Sequence, residues 1–226
     1  GPRSIEVPPS GVSAINPDFK GWDYVYQLLL SHGAEPEQLK SVLLDSRLPQ
    51  SDTLYFALNP KESPRLYTRL QTRKARTAAL ECYRRYQPFF NEASVTYGVS
   101  PGVLAGILQT ETACGRNFGR SMAFYRLARY VSAGSPETIE ANFNRKFLDN
   151  SRITREQVAA RAKWLENTFL PHALAALVLA SQKEIHPLDL VGSEAGAIGM
   201  PQFLPANLLN YGVDADKNGE IDLFTA

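Results

Sequence analysis

The sequence has few of the residues that metal and redox sites need. Its two cysteines, Cys82 and Cys114, do not form a CxxC pair, and its three histidines have no metal-ligand spacing relative to them. This scarcity disfavours zinc and redox chemistry. The sequence favours two separate buried thiols over a disulfide, which would instead indicate an oxidising compartment.

An excess of either charge and a long apolar run are also missing. Lys and Arg total 24 against 23 for Asp and Glu, so no positive field gathers phosphate backbones, and nucleic acid is excluded as a partner. The longest apolar run, Ala173 to Ala180, is far shorter than the roughly 20 residues of a membrane-spanning helix. Residues 1–16 mix Pro, Gly and Ser without a period and are predicted to be a linker or tag remnant.

Strand signals are lacking as well, since no long segment alternates with period two and no hairpin dipeptide joins β-branched runs. Helix signals replace them. Ser100 and Ser135 each precede a proline, as N-caps do, and Thr154 with Gln157 has the spacing of a capping box. A further helix is predicted from Pro171 to Lys183. The fold is therefore predicted to be mainly α.

A basic stripe is predicted on the helical stretch Ser63 to Gly98, which Pro88 should interrupt. Arg65, Arg69 and Arg73 follow one another at one-turn spacing. A solvated helix face is the favoured interpretation, and a groove for an anionic substrate is the alternative.

The helix that Ser100 opens carries an acid on its apolar stripe. Leu104, Ile107, Leu108 and Glu111 fall at i, i+3, i+4 and i+7. Burial there would raise the pKa of a carboxyl and keep it protonated, which is the state that a general acid needs. The alternative is a Glu at the exposed end of the helix, one turn before Gly115.

The segment Gly192 to Pro205 is a glycine-rich turn, which we expect to lead into a helix beginning at Pro201. It is not a P-loop, because no Gly-Lys-Ser/Thr follows the glycines. A tight structural connection is the alternative to a ligand-binding turn.

The last motif matches a calcium loop. Oxygen-bearing residues fall at positions 1, 3 and 5, Gly219 at position 6 and Thr225 at position 12, where a bidentate Glu is usual. The predicted metal-binding residues are Asp214, Asp216, Asn218, Glu220 and Asp222. An acidic turn without metal is the alternative.

Together, these segments resemble the B family of lytic murein transglycosylases. The resemblance is carried by Tyr97-Gly98-Val99, by Leu104 to Thr112 with Gly115-Arg116, by the glycine-rich segment and by the calcium loop. It implies a lysozyme-like helical catalytic region over residues 17–226, with an EF-hand-like calcium loop near the C-terminus and Glu111 as the catalytic residue. The substrate-binding residues that we expect are Ser193, Gln202, Arg116, Met200 and Phe203.

The family's activity is cleavage of the MurNAc–GlcNAc β-1,4 bond of peptidoglycan glycan strands with formation of 1,6-anhydroMurNAc ends. The resemblance implies no catalytic cofactor, a structural calcium ion, and a periplasmic location with a lipid anchor to the outer membrane outside this chain. It also implies proteins of cell-wall synthesis or secretion complexes as partners.

The sequence departs from the family at three places. Glu194 replaces an aromatic or small residue, Ala206-Asn207 replaces serines, and the stretch between Glu111 and Gly192 is longer than usual. We also expect the region to lack its C-terminal end. Two alternatives stay open: a hydrolytic muramidase in which Glu194 positions water, and an inactive glycan-binding or scaffolding domain.

Overall fold

The computed structural model describes residues 15–62, 68 and 71–224. The fold is mainly helical, as the sequence predicts. The α-helices whose bounds lie within the described residues are α1 Asp23–Ser31, α2 Pro36–Leu44, α3 Arg73–Arg85, α4 Gln87–Tyr97, α5 Pro101–Thr112, α6 Ala123–Ser132, α7 Pro136–Asp149, α8 Arg155–Gln182 and α9 Pro205–Tyr211. Short 3-10 helices span Pro17–Phe19 and Pro187–Asp189, and the two-residue strands β1 Ser121–Met122 and β2 Val191–Gly192 pair antiparallel.

Local capping signals set several of these helix starts. The Ser135 hydroxyl accepts a hydrogen bond from Thr138 N at 3.2 Å, and Thr154 forms the predicted capping box with Gln157. Helix α5 begins at Pro101 after Ser100, although the Ser100 side chain makes no capping bond. These predictions are confirmed.

Two predicted helix starts are wrong. Pro171 lies inside α8, which runs unbroken over 28 residues. Leu170 and Ala173 on either side of it are buried in the core, and this packing offsets the hydrogen bond that a proline removes. Helix α9 begins at Pro205 rather than Pro201, because Gln202 adopts a left-handed φ of 54° that no helix accommodates.

Within the described part of the chain, buried apolar residues form two separate clusters. The larger one unites α1, α2, α6 and α8, and its fully buried side chains include Trp22, Leu29 and Phe124. The smaller one holds α3, α4 and α5 together through four buried residues, Cys82, Phe90, Ala105 and Cys114. Glu111 and the basic N-terminal turn of α3 therefore both belong to the part with the smaller core.

Cys82 on α3 and Cys114 just after α5 form a disulfide, with their Cα atoms 5.7 Å apart. The favoured prediction of two separate buried thiols is wrong. Both residues are buried, but the packing of α3 on α5 brings together two positions 32 residues apart, and the sequence spacing could not show this.

Some predictions fall partly or wholly outside the described residues. These are the linker over residues 1–16, described only from Ile15, and the positions of Arg65, Arg69 and Thr225. Among the described helices, none combines the length and the hydropathy needed to cross a membrane.

Candidate active site

Glu111 lies in the last turn of α5, which ends where Ala113 and Cys114 adopt left-handed φ values of 49° and 61°. Its side chain is exposed, and so is Ile107, at 47% of its full accessible area. Of the two interpretations that the sequence left open, the desolvated carboxyl on a buried stripe is therefore wrong, and the Glu at the exposed end of the helix is the one found. Of the other stripe residues, Leu104 and Leu108 are only partly buried against the smaller cluster.

The reason is the direction in which α5 packs. The face turned toward its neighbours carries Ala105 and Thr112, each only 1% exposed. Successive residues of a helix are about 100° apart. The stripe from Leu104 to Glu111 therefore lies beside the buried face of α5 and not on it. Periodicity identified an apolar stripe but not which face α3 and α4 would cover.

Thr112 connects α5 to the glycine-rich segment. Its hydroxyl lies 2.9 Å from the carbonyl oxygen of Met200 and accepts a hydrogen bond from Gly115 N at 3.0 Å. Gly115 has a φ of 77°, in the left-handed region that favours glycine, and a Cβ there would lie 2.8 Å from Met200 Cε, at the end of a flexible side chain. Two of the motifs found in the sequence therefore meet beside Glu111.

The glycine-rich segment is held by its own hydrogen bonds. Ser193 Oγ accepts from the backbone N–H groups of Ala195 and Ala197, both at 3.2 Å. Gln202 Nε2 donates to Gly199 O at 2.9 Å, and Met200 N donates to Leu223 O at 2.7 Å. The last of these bonds fixes the segment to the chain that follows the acidic loop.

The acidic loop is organised by side-chain oxygens that accept backbone N–H groups. Asp214 accepts from Asn218 N at 3.1 Å and from Gly219 N at 2.9 Å, and these bonds, the one from Gly219 foremost, lower the pKa of Asp214. Asp216 accepts from Asn218 Nδ2 at 3.0 Å, and Asn218 Oδ1 accepts from Glu220 N at 2.8 Å. Across residues 15–62, 68 and 71–224, no three His, Cys, Asp or Glu side chains are grouped so as to hold a metal ion.

A cavity of about 310 Å³ lies where the three motifs meet. Helix α5 contributes Leu108, the glycine-rich segment contributes Met200, and the acidic loop contributes Asp216, Glu220 and Asp222. Tyr86, Phe89 and Phe90 form an aromatic wall that the sequence analysis missed, although the Phe-Phe pair was a visible signal. Because Leu108 lies three residues before Glu111, both occupy one side of α5.

The other predicted substrate-binding residues do not line this cavity. Arg116 is exposed, donates from Nε to Ala113 O at 2.8 Å, and lines a different cavity between α3 and the end of α5. Among the described residues, Ser193, Gln202 and Phe203 lie outside the walls of both cavities. Their assignment as substrate-binding residues stays a prediction.

Glu194, the residue that a muramidase would need, is engaged in an ion pair. Its carboxylate lies 2.5 Å from an Arg126 guanidinium nitrogen and accepts a hydrogen bond from Ser121 Oγ at 2.8 Å. Arg126 is on α6 and Ser121 on β1, so Glu194 ties the glycine-rich segment to the larger part of the fold. Sequence reasoning missed both partners because they lie about 70 residues away.

The sequence matches the family described as "Transglycosylase SLT domain" over residues 20–226. The chain belongs to this family. Membrane-bound lytic murein transglycosylase B of Escherichia coli K12 is 26% identical over an alignment of 226 positions that covers 95% of this chain and 54% of the relative. The chain thus spans about half the length of that curated relative.

Solved structures agree with the transglycosylase fold. The Escherichia coli lytic transglycosylase SLT35 in complex with bulgecin A is 23% identical, with a TM-score of 0.58 over 95% of this chain and 60% of that one. SltB3 from Pseudomonas aeruginosa, in complex with NAG-NAM-pentapeptide, is 18% identical, with a TM-score of 0.60 over 92% of this chain and 49% of that one. The predicted lysozyme-like helical fold is confirmed.

Proposed function

We propose that this chain cleaves the MurNAc–GlcNAc β-1,4 bond of peptidoglycan and leaves 1,6-anhydroMurNAc ends, with Glu111 as the sole acid/base. The observation that carries the proposal is the meeting of α5, the glycine-rich segment and the acidic loop around one cavity in a member of the transglycosylase family. Glu111 does not line this cavity itself but follows its wall residue Leu108 by one turn of α5. Glycan strands are the proposed substrate, and no catalytic cofactor is needed.

One carboxyl group can perform both steps. Glu111 first donates its proton to the glycosidic oxygen, which breaks the bond to C1 of MurNAc. The resulting carboxylate then accepts the proton of the MurNAc 6-hydroxyl, whose oxygen closes the anhydro ring. Ordinary glycosidases need a second carboxylate for water or for a covalent intermediate, whereas here the substrate supplies the nucleophile.

Because Glu111 is exposed in the free protein, the bound substrate must shield its carboxyl group from water. A glycan strand lying along α5 would exclude water from the carboxyl. The apolar and aromatic wall of the adjacent cavity, with Phe89 and Met200, suits the faces of sugar rings.

Digestion of purified sacculi followed by mass spectrometry of the products tests the function. We expect anhydro ends from the wild type and none from Glu111→Gln, which keeps the size of the side chain and removes its titrating proton. The exposed position of Glu111 predicts a melting temperature close to that of the wild type. Reducing ends would support a muramidase, no products from the wild type would support a binding domain, and normal turnover by Glu111→Gln would overturn the assignment of this residue.

We also propose that the acidic loop binds a structural calcium ion. In its support, the loop offers carboxylate and amide oxygens at positions 1, 3 and 5, and Gly219 at position 6 makes the sharp turn with a φ of 95°. Asp214, Asp216 and Asn218 would hold the ion with Glu220 and Asp222, and calcium would stabilise the loop beside the cavity. SLT35 has been solved in complex with calcium.

We place the chain in the periplasm. The Cys82–Cys114 disulfide supports this location, because disulfides persist in oxidising compartments. The Escherichia coli relative is named as membrane-bound, in line with the predicted lipid anchor. Partners from cell-wall synthesis or secretion complexes stay a prediction.

A further inference from the structure

Thr112, the residue directly after Glu111, is a buried polar residue that the proposed chemistry does not use. Only 1% of its accessible area is exposed. Its hydroxyl donates to the carbonyl oxygen of Met200 at 2.9 Å and accepts from Gly115 N at 3.0 Å. An apolar side chain of the same shape would fill this space equally well, so what the hydroxyl adds is the link between these two partners.

The bond to Met200 reaches outside the helix that carries Thr112. The Thr112 hydroxyl also lies 3.3 Å from Leu108 O, which is the ordinary contact of a threonine with the preceding turn of its own helix. A hydroxyl has one proton to donate, and only the 2.9 Å distance to Met200 O is in the usual range of an O–H···O bond. The exposed Thr110 provides the contrast, because its hydroxyl donates to Gly106 O at 2.8 Å, within α5.

The turn after Thr112 has an unfavourable backbone conformation. Ala113, Cys114 and Gly115 have φ values of 49°, 61° and 77°, and the left-handed region is costly for the first two. Such a conformation persists only where its surroundings fix it, and it is found most often at functional sites. Thr112 helps to fix it with both of its polar groups. Its hydroxyl accepts from Gly115 N, and its carbonyl oxygen accepts from the next two backbone N–H groups, each at 2.9 Å.

A line of hydrogen bonds continues from Thr112 through the walls of the 310 Å³ cavity. Met200 accepts the Thr112 hydroxyl through its carbonyl oxygen and donates through its N–H to Leu223 O at 2.7 Å. Its side chain lines the cavity together with Leu108 of α5. The bond from Thr112 to Met200 therefore helps to set how far Glu111 lies from the glycine-rich wall.

We propose that Thr112 is a positioning residue for the transglycosylase reaction, and this inference rests on the proposed function. Its hydroxyl holds the glycine-rich segment against the end of α5, so that a sugar ring lying on the Met200 wall presents its glycosidic oxygen to Glu111. Thr112 itself is buried and acts only through these two neighbours. Proton transfer requires the acid within hydrogen-bond reach, and a misplacement of about 1 Å can cost roughly a hundredfold in rate. Loss of the hydroxyl should therefore lower kcat.

The test compares Thr112→Val with Thr110→Val in the cleavage of glycan strands. Valine is branched at Cβ as threonine is, so each variant mainly removes one hydroxyl from α5. We expect Thr112→Val to lower kcat at least roughly tenfold with little change in KM, which marks an interaction used in the transition state. Thr110→Val should keep wild-type values. Thr112→Ser, which retains the hydroxyl, should restore most of kcat.

A control for stability excludes a merely structural effect. Ser135→Ala removes the N-cap of α7, outside the site, and should destabilise the fold while keeping wild-type kcat. All assays are run well below the melting temperature of each variant, so that the enzyme is folded throughout. Wild-type kcat in Thr112→Val, or a kcat of Thr112→Ser as low as that of Thr112→Val, would overturn the proposal.

Amide hydrogen exchange measured by NMR separates this inference from the proposed function. The Gly115 N–H should be protected in the wild type and in Thr112→Ser, and should exchange roughly tenfold faster in Thr112→Val, as expected for the loss of one hydrogen bond. Fast exchange at Gly115 in the wild type would refute the link made by Thr112, even if Thr112→Val fails to fold. A wild type that protects Gly115 but cleaves no strands would leave the link standing and refute the proposed function, and with it the use of the link in catalysis.

Discussion

Glu194 and Glu111 show how neighbouring contacts decide the role of a carboxylate. Glu111 has no ion-pair partner among the described residues, whereas Glu194 is held by Arg126 and Ser121. A group that positions water must keep an oxygen free in a fixed place near the sugar. In Glu194, one carboxylate oxygen contacts Ser121 and the other contacts Arg126, so the side chain joins two segments of the fold.

Glu194→Ala should therefore leave the anhydro product unchanged. The side chain is 76% exposed, so the lost ion pair should lower the free energy of unfolding by at most about 1 kcal/mol. Mass spectrometry of sacculus digests checks the product, and Glu111→Gln serves as the inactive comparison. A wild type that yields mainly reducing ends, lost on Glu194→Ala, would contradict the transglycosylase mechanism.

The protonation state of His172 affects a hydrogen bond to the start of α9, the helix that follows the glycine-rich segment. On α8, its Nδ1 atom accepts a hydrogen bond from Ala206 N at 3.2 Å, in the first turn of α9. This bond needs the neutral ring, and burial lowers the pKa of His172 below its ordinary value. Protonation would remove the acceptor.

Stability should accordingly depend on His172 at mildly acidic pH. Because its folded pKa lies below the unfolded value of about 6.5, the unfolded state binds the proton first as pH falls. The contribution is complete above the unfolded pKa and is lost as pH falls from about 6.5 toward the folded pKa. Urea unfolding between pH 5 and 8 should show a smaller pH dependence for His172→Gln than for the wild type. Equal pH dependences in the two proteins would contradict this role.

At the scale of elements, the acidic loop is folded by bonds within itself, and a cation would reinforce it. A ligand that binds only the folded state stabilises it by RT ln(1 + [L]/Kd), about 2.7 kcal/mol at a hundredfold excess over Kd. The melting temperature should rise with calcium and fall with chelator, and Asp214→Ala should abolish this response.

Asp149→Ala is the control for that experiment, since this exposed aspartate ends α7, far along the chain from the loop. It should respond to calcium as the wild type does. A wild-type melting curve unmoved by millimolar calcium would show that the loop holds no ion in this chain.

On the scale of the whole molecule, the two parts of the fold differ in how much buried core stabilises them. Among the described residues, the part formed by α3, α4 and α5 has only four buried cluster members, two of which are the disulfide cysteines. A core this small needs a covalent link. Because the cysteines are 32 positions apart in the sequence, the constraint on the unfolded chain should stabilise the fold by about 3–4 kcal/mol.

The double variant Cys82→Ser/Cys114→Ser should lose stability mainly in this part. Hydrogen exchange measured by mass spectrometry should accelerate over residues 73–116 and stay near wild type in α6 and α8, which pack in the larger cluster. Uniform acceleration over the whole chain would show that the two parts unfold as one unit.

The sequence by itself determined the helical class, several helix starts and the motifs that carry the family resemblance. The capping bonds at Ser135 and Thr154 span only three residues, and short-range hydrogen bonds of this kind are visible in the order of residues. Tertiary structure decided what depends on distant packing. It set which face of α5 is covered, the continuation of α8 through Pro171, the pairing of Cys82 with Cys114, and the cavity where three motifs meet. Each of these rests on contacts between residues far apart in the chain, and periodicity within one segment carries no information about the surface that will cover it.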